Sequence, residues 1–127
     1  MKISLFIASY LLRYLIGAFI IFVGYWKGFG PIPALTEHHA WVAGFPDWFA
    51  RSIGYLEIIS GIVIILPNKF NPKPYLLNIA CLWLAFNQPI SSAVHYVRGE
   101  LESLPQNALI VAILLAIILI ENKRKKL

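Results

Sequence analysis

The chain has 127 residues and a mass of 14.4 kDa, a length that ordinarily makes one small domain. Hydrophobic residues are 59% of it, charged residues 13%, and mean hydropathy is +0.71, more apolar surface than a soluble core of this size can hide. One cysteine, Cys81, excludes an internal disulfide or a paired-cysteine redox motif, and the eleven Lys and Arg against six Asp and Glu suggest nucleic acid only until their positions are read.

In chain order, four apolar stretches reach the roughly 20 residues a helix needs to cross a bilayer. The first covers residues 3–26, with Arg13 as its one charged interruption. It is longer than the apolar core of a signal peptide and holds that arginine inside, so an uncleaved helix is expected. The connection that follows holds Pro31 and Pro33, then Thr36-Glu37-His38-His39 and, further on, Gly44. It reads as one or two helical turns capped by Thr36 and ended by Gly44, lying at headgroup level with Trp41 and Phe45. Adjacent histidines do not converge on one metal ion, so a solvated loop without a metal site is expected at His38-His39.

The second stretch, residues 47–66, carries Arg51 near its start and Glu57 in its middle. A proline-rich turn leads into the third, residues 74–97, the most polar, with Asn78, Cys81, Asn87, Gln88 and His95 and a kink expected at Pro89. Ser103 is a candidate cap for the fourth, residues 105–121, which has no ionisable group before Glu121. Period-2 alternation is absent, which leaves helices rather than a barrel. The expected fold is all-α: a single domain over residues 1–127, forming a membrane-spanning four-helix bundle.

Charge sets the orientation. Lys2, Lys69, Lys73 and Lys123-Arg124-Lys125-Lys126 fall on one side, while Lys27, Arg51 and Arg98 fall on the other. Basic excess marks the cytoplasm, so both termini are expected there, in a multi-pass protein of the cytoplasmic (inner) membrane. The basic C-terminus reads as a topology anchor, not a nucleic-acid patch.

Polar groups within apolar spans are functional candidates. Arg13, Gly17, Gly24 and Lys27 share one helical face, as do Gly54, Glu57 and Gly61. Gly17, Gly24, Gly54 and Gly61 are expected to let two helices approach closely, with Arg13 and Glu57 meeting as an intramembrane latch. Lys27, Gln88 and His95 form a candidate ligand pocket in the outer leaflet, Cys81 is a small packing residue, and Asn87 points away from the polar face of its helix. Tyr25, Trp26, Trp41, Trp48 and Tyr96 read as an outer aromatic belt, with Phe70 and Tyr75 as the inner one. No catalytic motif stands out, and Met1 as the lone methionine and His95 as the lone intramembrane histidine speak against haem.

Leu12-Arg13 with Gly17, Gly24-Tyr25-Trp26-Lys27, Gly54 through Gly61 around Glu57, and Ala93-Val94-His95 together resemble the DoxX and DoxX-like family of small four-helix membrane proteins. The resemblance implies a four-helix bundle in a bacterial or archaeal cytoplasmic membrane and points to Arg13, Lys27, Glu57 and His95. Members have been linked to quinone reduction with thiosulfate oxidation, to oxidative-stress complexes in the membrane and, in distant relatives, to cargo export or receptor assembly. Three readings stay open. The first is an accessory subunit that binds a quinone or lipid-like molecule between its helices and is not itself an enzyme. The others are a quinone-linked oxidoreductase subunit and a small transporter or assembly chaperone. Quinone is the one cofactor in view. The expected partners are the bilayer, other membrane or redox subunits and a second copy of the chain, with no nucleic acid.

Overall fold

Backbone N–H and C=O groups find no partners in hydrocarbon, so long apolar runs satisfy them internally as helices. The structure, a computed structural model describing residues 2–73 and 75–126, is 81% helix, with no strand among the described residues. Its elements are α1 (Lys2–Phe29), α2 (Ile32–Glu37), α3 (Asp47–Ile65), a 3-10 turn (Asn68–Phe70), α4 (Leu76–Val97) and α5 (Ser103–Lys125). α1, α3 and α5 are long and apolar enough to cross a membrane. α4 has 22 residues but carries Asn78, Asn87, Gln88, Ser91, Ser92 and His95 where the others have aliphatic side chains.

Several boundaries differ from the sequence expectation. α1 continues through Lys27-Gly28-Phe29, and Arg51 caps its end, donating from Nη1 to Lys27 O at 3.2 Å and Gly30 O at 2.6 Å. α5 runs past Glu121 to Lys125, placing basic side chains at the negative end of the helix dipole. Ser103 is its first residue rather than its cap. The short helix expected from Thr36 forms earlier, over Ile32–Glu37, because Pro31 and Pro33 sit where a helix start needs no N–H from them. His39, at φ 56°, and Gly44, at φ 89°, then turn the chain. α4 runs unbroken through Pro89, and the expected start of that stretch at Pro74 lies outside the described residues.

α1 packs against α3 and α5, and α4 packs against the same two helices. The α1–α3 contact is the closest, and glycines make it so. A Cβ on Gly24 would sit 2.8 Å from Gly54 O, and one on Gly61 would sit 2.8 Å from Gly17 O, so the two backbones touch along an antiparallel register. Ile16, Ile20, Ile64, Cys81, Leu84, Leu114 and Ile117 fill the main core. A smaller core of Leu35, Trp41, Val42 and Ala50 anchors the first connection onto the helices. Trp41 therefore does not belong to an exposed aromatic belt; it is 5% exposed, whereas Trp48 is 70% exposed.

The distribution of polarity is inverted relative to a protein in water. Ser9, Arg13, Glu57, Asn87, Gln88, His95, Asn107 and Glu121 are buried, while Leu15, Phe22, Ile59, Phe86 and Leu119 point outward. An exterior of large aliphatic and aromatic side chains is stable when the surrounding solvent is lipid.

Candidate functional site

The buried charges gather at two places along α1. Near its start, the cause is the end of α3. Pro67 has no N–H to return to the helix, so the last carbonyls of α3 need other donors. Arg13 supplies them, donating from Nε to Ile64 O at 2.7 Å and from Nη2 to Leu66 O at 2.5 Å. Its Nη1 reaches Asn68 Oδ1 at 2.9 Å and Glu121 Oε1 at 3.3 Å. Glu121 also accepts from Ser9 Oγ, from Asn68 Nδ2 at 3.1 Å and from Arg124 Nη1 at 2.6 Å. Arg13 is fully buried, 4.5 Å from the Tyr10 ring, and joins α1, α3 and α5 in one closed network.

Arg13 and Glu57 do not form the expected latch. In the antiparallel register set by the glycines, Glu57 Cβ lies against the position of Gly24, eleven residues beyond Arg13. At about 1.5 Å per residue that separates their levels by roughly 16 Å. Glu57 pairs with Lys27 instead, Nζ to Oε1 at 2.7 Å. Lys27 sits one turn further along the face that sequence spacing had already assigned to Arg13, Gly17 and Gly24.

Above this second pair lies a cavity of about 430 Å³, a volume within the range of small-molecule sites. Lys27, Gln88 and His95 all line it, together with Glu57, Asn87 and Asn107. Phe19, Ile20 and Ile110 give it an apolar floor, and Leu35, His38, His39 and Trp41 of the first connection cover it. Asn87 thus faces inward, contrary to the sequence expectation, and is 4% exposed. Two buried polar atoms of the lining, Glu57 Oε2 and Trp41 Nε1, have no partner among the described residues.

The cover is tied down by α4 and the residues after it. Arg98 donates to Ala40 O at 3.1 Å and also to Ala43 O. Glu100 bridges two histidines, Oε1 at 2.8 Å from His95 Nδ1 and Oε2 at 3.0 Å from His39 Nδ1. The hydrogen bond with His95, helped by the one with His39, holds the Glu100 carboxyl below the usual carboxylate range. His38 and His39 border the cavity yet both stay exposed to the outside, and no cluster of metal-ligating side chains occurs among the described residues.

Sequence reasoning missed Glu121, Glu100, Asn107 and Trp41. A signal existed for the first: Ser9 and Arg13 share a face at i, i+4, Glu121 and Arg124 at i, i+3, and each pair marks one end of an apolar run. Nothing local marks Trp41, which packs against residues distant in the chain, whereas Glu100 lies only five residues beyond His95. Chemically, the cavity offers one ion pair, four amide side chains and an oriented imidazole over an apolar base, a set suited to holding an amphipathic molecule by its polar head.

Among curated proteins and solved structures no significant match to the chain is found. The DoxX-like family model matches residues 11–118, which takes in Arg13, Lys27, Glu57, His95 and the whole α1–α3 glycine contact, and the chain is a membrane protein that belongs to the DoxX-like family.

Proposed function

We propose that the protein crosses the cytoplasmic membrane four times with both termini inside, and that it serves as an accessory subunit holding a quinone or similar lipid-like molecule in the cavity at Lys27. The observation that carries the ligand reading is the cavity itself, with polar walls above an apolar floor. Phe22 lines it and is also 61% exposed on the outer surface of α1, so a molecule dissolved in the bilayer has a sideways approach. Four crossings are supported by the 22-residue length of α4, whose polar side chains turn inward, and by the basic residues massed at the Arg13 end.

The test is direct. The full chain, purified from membranes in mild detergent, is expected to retain an isoprenoid quinone or comparable lipid detectable by mass spectrometry. Ala34→Phe, which fills the cavity from its cover, is expected to remove it. Retention by Ala34→Phe, or a wild-type chain that holds nothing even after incubation with a quinone analogue, overturns the reading. Reporter fusions at the two termini test the topology.

A second reading, a quinone-linked oxidoreductase subunit, is favoured by one feature. His95 is oriented by Glu100 beside the cavity, as an imidazole that moves protons needs to be. Quinone-dependent turnover with an added electron donor would separate it from a purely binding role. The transporter or chaperone reading has less behind it, because Leu35, Trp41 and Val42 of the first connection are buried against the helices rather than offered to cargo.

A further inference from the structure

Building on the ligand reading above, we infer that the cavity at Lys27 is loaded and emptied through one mouth, between α1, α5 and the cover. Its occupant is a lipid of the leaflet at that end, with the head inside and the chain left in the bilayer.

The exposed residues of the lining locate the mouth. Phe22 and Trp26 of α1, His38 and His39 of the cover and Gln106 of α5 line the cavity and are also exposed. The lining residues from α3 and α4, which are Glu57, Asn87, Gln88, Ser91 and His95, are all buried. The other seams are closed near this level. α1 touches α3 through Gly24 and Gly54, and Trp83 Nε1 of α4 donates to Ser60 Oγ of α3. Asn107 Nδ2 of α5 donates to Ser91 Oγ at 3.2 Å and Ser92 Oγ at 3.0 Å on α4. α1 and α5 are hydrogen-bonded at their other end, from Ser9 and Arg13 to Glu121, and the cavity parts them here.

The level of the mouth suits a lipid standing in its leaflet. Phe22 lies seven residues before the end of α1 at Phe29, roughly 10 Å along the helix. The headgroup layer on each side of a bilayer is roughly 5–7 Å deep. The mouth therefore runs from headgroup level at His38 and His39 down to hydrocarbon at Phe22. Inside, Glu57 Oε2 and Trp41 Nε1 are buried without a partner among the described residues, and a polar head can satisfy them where a hydrocarbon chain cannot. The chain finds its own solvent outside, past the exposed ring of Phe22. No passage leads on to the far leaflet: Ile20, Ile64, Leu84, Leu114 and Ile117 are buried and fill the bundle between the cavity and the Arg13 network. A head that enters at the mouth leaves by it.

The experiment reconstitutes the full chain in nanodiscs of phosphatidylethanolamine, phosphatidylglycerol and a trace of ubiquinone, then moves it into lipid-free detergent micelles. Native mass spectrometry follows the lipid each chain keeps and the rate at which it is lost. Gln106→Trp, which narrows the mouth, is expected to slow that loss several-fold, and Phe22→Ala, which widens it, to speed the loss. Phe86→Ala, a change at an exposed ring of α4 outside the lining, should leave the rate as it is. In liposomes of the same lipids, dithionite quenching should show no scrambling of a fluorescent phospholipid between leaflets beyond that of protein-free liposomes. Loss that ignores both mouth variants overturns the inference while the ligand reading stands, and faster loss in Arg98→Gln, which unties the cover, would then put the entry there. Scrambling overturns it too. A chain that keeps none of the three lipids sinks both. Should Gln106→Trp fail to fold, Phe22→Ala and the scrambling assay decide.

Discussion

At the Arg13 end of α1, an arginine, a glutamate, an asparagine and a serine meet with every guanidinium nitrogen engaged, and the space beside Asn68 and Glu121 is only about 90 Å³. At the Lys27 end, a lysine and a glutamate pair just as closely, yet one carboxylate oxygen is left over and about 430 Å³ of space opens beside it. Both ends place charge inside an apolar protein, where an unpaired ion is costly. Only the first answers that cost completely from within the chain. The comparison teaches that a buried charge by itself does not mark a site; unfinished hydrogen bonding beside a cavity does.

The largest effect expected is at the closed end. Arg13→Ala reopens the last carbonyls of α3 and takes one of the cations from Glu121, which keeps Arg124, and removing one partner from a buried ionic network costs up to about 3–5 kcal/mol. Thermal melting in detergent checks it, and a melting temperature close to wild type would mean the network is ornamental. Gly54→Ala comes next, because its Cβ would meet Gly24 O at 2.7 Å, a backbone atom that cannot rotate aside. Overpacking of this kind costs about 1–3 kcal/mol. The loss should exceed that of Gly99→Ala, where nothing lies within 4 Å and only the positive φ of 76° is strained.

Glu57→Gln sharpens the contrast between the ends. An amide keeps the shape and a hydrogen bond to Lys27, and the cavity beside it can relax, so about 1 kcal/mol is expected in melting. Ligand retention is expected to fall much further than stability does. If Glu57→Gln instead destabilised the protein as much as Arg13→Ala, the open end would be as structural as the closed one.

The smallest effect concerns acidity. Because the Glu100 carboxyl titrates below its unfolded value, its contribution to stability is present above the usual carboxylate range and is lost as pH falls through the folded value. Acidification below that range should release the cover before the helices melt, read as faster hydrogen exchange at the amides of residues 40 and 43 near Arg98 and Glu100. Glu100→Gln should remove that pH dependence.

Legibility followed the length scale of each feature. The apolar runs were readable because hydropathy is local, and the boundaries were off by only a few residues, where capping by Arg51 or the basic tail of α5 extended a helix. The pocket residues Lys27, Gln88 and His95 were legible as polar groups that hydrocarbon alone would not keep. The pairing of Arg13 was not. Its nearest opposite charge by position along a helix was Glu57, and choosing Glu121 required knowing that α5 returns beside α1.

The sequence by itself determined that this is a helical membrane protein of the DoxX-like family, because composition, run length and short motifs are properties of contiguous residues. Tertiary structure alone decided which charges meet across helices and that Asn87 and Trp41 face inward. Those outcomes depend on the register of antiparallel helices packed through glycines. A register relates residues dozens of positions apart, so no local stretch of the chain encodes it.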